Sequence, residues 1–212
     1  MNDVLLKLKD CGIVPVVVLD DAKDALPLAK ALVEGGLPCA EVTFRTAAAE
    51  EAIRIMAEAY PEMLVGAGTV LSVDQVKRAV AAGAKYIVSP GLNPKVVGYC
   101  VENNIPITPG VQTPTEIEMG LEFGLDVLKF FPAEPAGGLK MIKALCGPYT
   151  NVCFIPTGGL STGNVKEYLA YNKIWAVGGS WIAKKDLIQA GKFDEIQAIV
   201  AEAVAIVKEV RG

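Results

Sequence analysis

The sequence predicts an α/β protein, a (β/α)8 TIM barrel that forms a single domain over residues 1–212 with an N-terminal helix. Along the chain, apolar helical segments end at Gly or Asn, and a short β-prone run follows each within a few residues. The runs are apolar on both faces, as parallel strands covered by helices are. Because about 250 residues are typical of this fold, the barrel is expected to be compact.

Eight strands follow one another along the chain, and a helix or helical turn is expected after each. Eight β/α units favour a closed barrel over the alternative, an open doubly wound sheet. The first strand leads into Leu19-Asp20-Asp21 and not into the G-x-G-x-x-G turn of a dinucleotide-binding sheet. The strands are expected near residues 13–19, 39–44, 64–69, 86–89, 105–109, 126–131, 152–156 and 175–178.

The helical segments have recognisable starts and apolar spacing. A helix at about 2–10 precedes the first strand. Residues 72–75 (Ser-Val-Asp-Gln) form a capping-box pattern. Residues 113–116 combine an N-cap threonine, a proline at the first helical position and a glutamate at the third. Within residues 22–34 the apolar side chains keep helical spacing, namely Ala25, Leu28, Ala29 and Leu32.

The composition excludes several kinds of site. The chain has no histidine, which excludes Ser-His-Asp and Cys-His mechanisms and imidazole metal sites. Its formal charge of -4 makes nucleic acid and anionic membranes unexpected partners. The five cysteines are widely spaced and form no C-x-x-C pair. This spacing favours small buried side chains in a reducing compartment over a disulfide framework or a zinc ribbon.

The N-terminal residues are charged and amphipathic and lack the apolar core of a signal peptide. The longest clean apolar run, residues 13–19, is interrupted by Pro15. A membrane span needs about 20 apolar residues. We therefore expect a cytoplasmic protein.

Strand two carries charges among its apolar residues. Alternation puts Glu41, Thr43 and Arg45 on one face and Ala40 and Val42 on the other. Because the apolar face should pack on helices, the charged face is expected to point into the barrel. Active sites lie at the carboxyl ends of barrel strands, where inward charges are costly unless paired or used. A structural ion pair is the alternative to a functional one.

Strand six places a lysine inside the run Val127-Leu128-Lys129-Phe130-Phe131. Burial of an ammonium is unfavourable and favours the neutral amine. A neutral amine can attack a carbonyl and form a Schiff base. The alternative is a lysine that snorkels at the strand end.

Glycine pairs follow strands seven and eight, in P-T-G-G-L-S and V-G-G-S-W. Glycine lets backbone N–H groups approach an anion closely, and the loops after these two strands are the usual phosphate site of barrels. Tight turns alone are the alternative reading. The ends of strands three and four, Gly66-Ala67-Gly68-Thr69 and Ser89-Pro90-Gly91, add small groups and hydroxyls around the same opening.

Together these stretches resemble the KDPG/KHG aldolase family, the aldolases of 2-dehydro-3-deoxy-phosphogluconate (KDPG) and 4-hydroxy-2-oxoglutarate (KHG). The matching segments run in order over nearly the whole chain: EVTFRT, VGAGTVLS, VSPGLNP, ITPGVQTPTE, LKFFPAE, IPTGGLS and VGGSW. The resemblance implies a Schiff-base aldolase that uses no metal or other cofactor, on a (β/α)8 barrel, usually as a homotrimer.

The resemblance also implies roles, position by position. Lys129 matches the Schiff-base lysine and Glu41 the acid/base carboxylate. Arg45 and Thr69 match the groups that hold the pyruvate carboxylate. The other matches are pocket walls at Pro90 and Phe131, a threonine linked to stereochemical preference at Thr157, and a phosphate-binding end at Gly158, Gly159, Gly179 and Ser180.

One departure concerns strand one, which some members end with an arginine, whereas here Asp20 follows Leu19. This removes one possible anion contact. The expected substrates are KDPG and also KHG, with cleavage to pyruvate and an aldehyde. Three alternatives stay open: an aldolase of the galactonate isomer, a phosphosugar epimerase or isomerase, and a non-catalytic phosphosugar-binding barrel. Metal-dependent epimerases need imidazole ligands, which this chain lacks.

Overall fold

The computed structural model describes residues 3–212, and within them eight parallel strands form one barrel sheet. Each strand overlaps a predicted one, and the ends differ by at most two residues. The strands are buried along nearly their whole length, as their apolar sequences predict. They are β1 Ile13–Val17, β2 Cys39–Thr43, β3 Leu64–Gly68, β4 Tyr86–Ser89, β5 Ile107–Val111, β6 Val127–Phe130, β7 Cys153–Pro156 and β8 Val177–Gly179.

The sheet order is β7-β6-β5-β4-β3-β2-β1-β8, so the first and last strands are neighbours. Ile13 pairs with Val177 and Pro15 with Gly179 across β1 and β8. Between β7 and β8 the ladder is reduced to isolated bridges, one of which joins Thr157 to Gly178. The barrel thus closes at a seam between β7 and β8, and the predicted closed (β/α)8 fold is confirmed.

Helices cover the outside of the barrel and follow its strands. The predicted N-terminal helix is confirmed from its second residue onward, and Asn2 lies outside the described residues. A 3-10 turn, Ala22–Asp24, precedes the second helix. The α-helices of residues 3–212 are α1 Asp3–Cys11, α2 Ala25–Glu34, α3 Ala49–Ala59, α4 Val73–Ala81, α5 Pro94–Glu102, α6 Pro114–Glu122, α7 Gly138–Leu145, α8 Val165–Leu169, α9 Lys185–Gln189 and α10 Phe193–Arg211. None of these helices is long and apolar enough to cross a bilayer.

The predicted start of α6 is a complete capping box. The Thr113 hydroxyl accepts from the Glu116 N–H, and the Glu116 carboxylate accepts from the Thr113 N–H at 2.9 Å. The Ser72 pattern forms only half of one. Ser72 accepts from the Gln75 N–H at 3.2 Å, but the Gln75 side chain accepts from the Leu71 N–H.

Strand β5 begins two residues later than predicted. The Ile105 N–H donates to the Cys100 carbonyl at 2.8 Å and so belongs to the turn that ends α5. Pro106 has no N–H to offer a ladder. Pro106 contributes only its carbonyl, which accepts from the Ile87 N–H at 2.8 Å, and Ile107 is the first residue of β5 that pairs with β4.

The last residues of α10 tie the chain to the amino ends of the strands. The Arg211 guanidinium donates to the carbonyls of Ile174 at 2.8 Å and Trp175 at 2.7 Å. It also donates to the carbonyls of Leu169 at 3.1 Å and Lys9 at 3.3 Å. One side chain thus joins α10 to α1, α8 and the entry to β8.

Candidate active site

The two charged side chains predicted to point inward meet inside the barrel. Lys129 Nζ lies 3.2 Å from Glu41 Oε1, and the two residues are 5% and 4% exposed. They come from β6 and β2, which are separated by three strands on either side and so face each other across the barrel. Thr43, on the face of Glu41, is buried and donates to the Val17 carbonyl at 3.0 Å.

Two glycines of β3 make room for the interior polar groups. A Cβ on Gly68 would overlap the Glu41 carboxylate, and a Cβ on Gly66 would overlap the ring of Tyr86. The inward positions of β3 are therefore closed to any side chain. Two glycines spaced by one residue inside a strand are a sequence signal for such close approach.

The pair lines a small enclosed space in the barrel. Its wall includes Tyr86, Thr108 and Thr157, and Leu8 from α1 reaches the same space, so that α1 closes the amino-terminal end. The Tyr86 hydroxyl donates to the Ala40 carbonyl at 2.9 Å, and burial raises the pKa of Tyr86 well above its ordinary value. Tyr86 is therefore a neutral structural donor. Neither it nor Thr108 is among the residues that the sequence pointed to.

The Thr157 hydroxyl is buried and has no hydrogen-bond partner within residues 3–212. A buried polar group without a partner is destabilising by about 1–3 kcal/mol. The group shares the enclosed space with Lys129 and Glu41. A polar ligand atom that enters this space would supply the missing partner.

Arg45 and Thr69 meet at the carboxyl ends of β2 and β3. Arg45 is exposed, and its Nε donates to Thr69 Oγ1 at 3.3 Å. Thr69 has a φ of 56°, a left-handed conformation that is unfavourable for a β-branched residue. Within residues 3–212, Arg45 forms no ion pair with Glu41, so its guanidinium stays available at the opening of the barrel.

Two half-buried side chains border the same opening. The Phe131 ring centroid lies 5.1 Å from Lys129 Nζ. Pro90 follows β4, and its carbonyl occupies the space that a side chain at Gly110 of β5 would need. An aromatic ring thus lies beside the amine, and Pro90 packs against the neighbouring strand β5.

The glycine pairs lie at adjacent strand ends, because the Thr157–Gly178 bridge joins the chain directly after β7 to β8. Gly158 and Gly159 have φ values of 102° and 81°, which favour glycine. Their N–H groups donate no hydrogen bond within residues 3–212. Gly179 ends β8 beside them, and Ser180 follows it and is exposed. This arrangement leaves donors free for an anion.

The site can support amine chemistry on a carbonyl. It combines a buried amine, a carboxylate within proton-transfer distance and cationic and hydroxyl donors at the opening. Glycine-rich backbone lies on the β7–β8 side. Among residues 3–212, no three Cys, Asp or Glu side chains gather in a way that could hold a metal ion.

Comparisons with known proteins agree on one family. The family model described as KDPG and KHG aldolase matches residues 4–199. A 2-dehydro-3-deoxy-phosphogluconate aldolase of Haemophilus influenzae is 50% identical over 207 residues, 98% of this chain and 98% of that protein.

Two solved structures are similar along nearly their whole length. KDPG aldolase from Legionella pneumophila, with pyruvate captured as a covalent carbinolamine intermediate, has a TM-score of 0.91 and 38% identity, covering 93% of this chain and 97% of that one. The 2-keto-3-deoxy-6-phosphogluconate aldolase of Zymomonas mobilis ZM4, with 3-phosphoglycerate, has a TM-score of 0.89 and 40% identity, covering 97% of both chains.

Proposed function

The chain belongs to the KDPG and KHG aldolase family, and from this we propose that it is a class I aldolase that cleaves 2-dehydro-3-deoxy-6-phosphogluconate to pyruvate and glyceraldehyde 3-phosphate. The same site cleaves 4-hydroxy-2-oxoglutarate to pyruvate and glyoxylate. The observation that carries the proposal is the buried pair of Lys129 and Glu41, with Nζ and Oε1 3.2 Å apart.

The first half of the reaction uses the amine. Glu41 takes a proton from the Lys129 ammonium, and the neutral amine attacks the C2 ketone to form a carbinolamine. Loss of the C2 oxygen as water, with a proton returned from Glu41, gives a protonated imine. The Phe131 ring, with its centroid 5.1 Å from Nζ, lies beside the amine on which the new bond forms.

The second half uses the imine as an electron sink. Glu41 removes the C4 hydroxyl proton, directly or through one water, and the C3–C4 electron pair moves into the imine. The aldehyde leaves, and an enamine remains on Lys129. Glu41 then returns a proton to C3, and hydrolysis of the imine releases pyruvate and the free amine.

The residues around the mouth of the barrel bind the substrate. Arg45 offers a planar guanidinium that suits the C1 carboxylate, with Thr69 beside it at 3.3 Å. The unpartnered Thr157 hydroxyl supplies a hydrogen bond to a substrate oxygen and so influences which C4 epimer is accepted. Pro90 and Phe131 form the apolar wall.

The glycine-rich side binds the 6-phosphate. The free N–H groups of Gly158 and Gly159, with the Gly179 backbone and the Ser180 hydroxyl, form the anion site. The Zymomonas mobilis relative with 3-phosphoglycerate supports a phosphate subsite in this fold. KHG carries no phosphate and therefore does not use these donors.

Reduction by borohydride in the presence of pyruvate tests the mechanism. We expect a covalent adduct on Lys129, located by mass spectrometry, and none in Lys129→Met or Lys129→Arg, which also lose cleavage because neither side chain supplies a neutral amine. Neither an epimerase nor a phosphosugar-binding barrel would give this adduct. An adduct on another lysine, with active Lys129 variants, would overturn the mechanism.

Cleavage rates for KDPG, its galactonate epimer and KHG distinguish the substrates. We expect KDPG to give the highest kcat/KM. Preference for the galactonate epimer would assign the chain to the aldolases of that isomer.

We further propose that the chain is a single domain over residues 1–212 that acts as a homotrimer in the cytoplasm, as the family resemblance implies. Light scattering coupled to size-exclusion chromatography measures the oligomer. One cooperative unfolding transition is expected for a single domain.

A further inference from the structure

A buried tyrosine outside the catalytic pair joins a helix to a loop that packs against the glycine-rich site. Tyr168 of α8 is 2% exposed, and its hydroxyl donates to Glu134 Oε1 in the loop between β6 and α7. The bond lies against the start of α7, where a Cβ on Gly138 would stand 3.0 Å from both oxygens. The sequence gives this tyrosine no signal beyond an ordinary apolar helix position.

Glu134 is in turn part of the support under the glycine loop. Its N–H donates to the Gly158 carbonyl at 3.0 Å, and the Ala133 N–H donates to the Thr157 carbonyl at 2.8 Å. A Cβ on Gly159 would lie 2.6 Å from Glu134 Cβ, so the Glu134 side chain begins directly against Gly159. Glu134 therefore fixes where Gly158 and Gly159 present their N–H groups.

The position of this carboxylate matters for an anion. Glu134 is exposed, and its side chain starts beside the N–H groups proposed to hold the phosphate. A carboxylate free to turn toward those groups would repel the phosphate or occupy its donors. Burial, and then the bond to Glu134, raises the pKa of Tyr168, so its hydroxyl stays a donor throughout the working pH range.

We propose that Tyr168 is a positioning residue for the phosphate end of the substrate, acting by holding the Glu134 carboxylate in place so that the glycine loop stays open to the anion. This inference rests on the proposed function, because it requires the anion site at Gly158 and Gly159. Tyr168 is not among the residues proposed to bind the substrate or to react with it.

The test compares Tyr168→Phe with Tyr149→Phe. Tyr149 makes the same kind of bond, a tyrosine hydroxyl to Glu118 at 2.8 Å, on a surface away from the site. In Tyr168→Phe the KM for KDPG and the inhibition constant of inorganic phosphate should each rise about three- to tenfold, the size expected for one lost hydrogen bond. Cleavage of KHG should change by less than about twofold, and Tyr149→Phe should change none of these values.

A second substitution separates the effect of the Glu134 charge from a general loss of order in the glycine loop. In the Tyr168→Phe, Glu134→Gln double variant, the carboxylate that repels the anion is gone. We expect the inhibition constant of inorganic phosphate to return to within about twofold of the original value. Thermal unfolding of each variant shows whether the fold is retained.

The outcomes distinguish this inference from the function on which it rests. Tyr168 has only a structural role if Tyr168→Phe lowers KDPG and KHG cleavage equally. The same conclusion follows if Glu134→Gln in the double variant does not restore the inhibition constant of inorganic phosphate. If the unmodified protein forms no pyruvate adduct, the proposed function itself fails. If Gly159→Leu selectively impairs KDPG while Tyr168→Phe does not, the phosphate site stands and the inference about Tyr168 is overturned.

Discussion

Lys129 and Glu41 form a buried ion pair, and no other charged side chain contacts them in the described interior of the barrel. Removal of one partner from such a pair leaves the other as an isolated buried charge, which is strongly unfavourable. The same closeness gives the reaction its proton route. Catalysis and local stability thus depend on one contact, and substitutions here need both kinds of measurement.

Glu41→Gln should separate proton transfer from imine formation. The amide keeps the size of the side chain but cannot accept the C4 hydroxyl proton, so kcat should fall by about 10²–10⁴-fold. Pyruvate trapping by borohydride should fall less. Exchange of the pyruvate methyl protons with deuterium, followed by NMR, measures the step directly. Exchange at the original rate would mean that Glu41 is structural.

Gly68→Ala should disable the enzyme by displacing Glu41. The added Cβ overlaps the Glu41 carboxylate and must displace it. Overpacking of a core typically costs about 1–3 kcal/mol, and we expect kcat to fall at least about tenfold. Gly98→Ala is the matched control, since its Cβ would meet Phe123 at an ordinary 3.6 Å. Unchanged activity in Gly68→Ala would show that the carboxylate has another place to go.

The sequence predicts the residues of the site better than the space around them. Strand alternation is enough to turn Glu41 inward, and an apolar strand is enough to mark Lys129. Which side chain comes opposite a glycine depends on the stagger between strands, and a single sequence does not encode that locally. The role of Gly68 was missed for this reason, whereas Tyr168 was missed because it occupies an ordinary apolar position of a helix.

At the scale of elements, the capping box at the start of α6 makes a contribution to stability that can be measured. Partial burial acts to raise the pKa of Glu116, but hydrogen bonds from Gln112 and Thr113 outweigh it and hold the pKa below its ordinary value. The stabilisation is therefore present above the ordinary glutamate pKa and is lost as the pH falls through the lowered one. Thr113→Ala should lower the free energy of unfolding by about 1 kcal/mol at neutral pH.

Urea unfolding of Thr113→Ala and Glu116→Gln from neutral to acid pH tests this assignment. The difference between Glu116→Gln and the original protein should shrink as the pH falls below the glutamate range. Ser72→Ala serves for comparison, because its capping box is incomplete. A difference that stays constant with pH would contradict the assignment.

The predicted boundary of α6 was correct because its capping residues are all present in the local sequence. Thr113, Pro114 and Glu116 fixed the start of α6 to the residue. The start of β5 was predicted too early because the Ile105 N–H is taken by the end of α5, and an apolar pattern does not report which residue a backbone group has already bonded.

For the whole molecule, Arg211 is the residue whose loss should matter most far from the site. Its guanidinium holds the carbonyls of Leu169, Ile174 and Trp175. Arg211→Ala should destabilise the fold by about 2–3 kcal/mol, because hydrogen bonds from a charged group are among the stronger ones. Lys208→Ala, on the exposed face of α10, is the control. Urea unfolding measures the change. A loss of stability no larger than that of Lys208→Ala would show that the Arg211 hydrogen bonds do not stabilise the fold.

The number of strands helped to predict a closed barrel, but not where it closes. Eight β/α units, together with the absence of a G-x-G-x-x-G turn after strand one, favour the barrel over an open sheet. The position of the weak junction depends on contacts between segments far apart in the sequence, which no local pattern reveals.

The seam between β7 and β8 gives the substrate a structural role in the barrel. The junction runs beside Thr157 and Gly178, and the proposed substrate would reach from Lys129 on β6, past this junction, to Gly179 at the end of β8. A bound sugar acid would then act as an extra rung between strands that the backbone leaves sparsely connected. Substrate binding and closure of the barrel at this seam would then be linked, so that the barrel is more stably closed with substrate bound than without it.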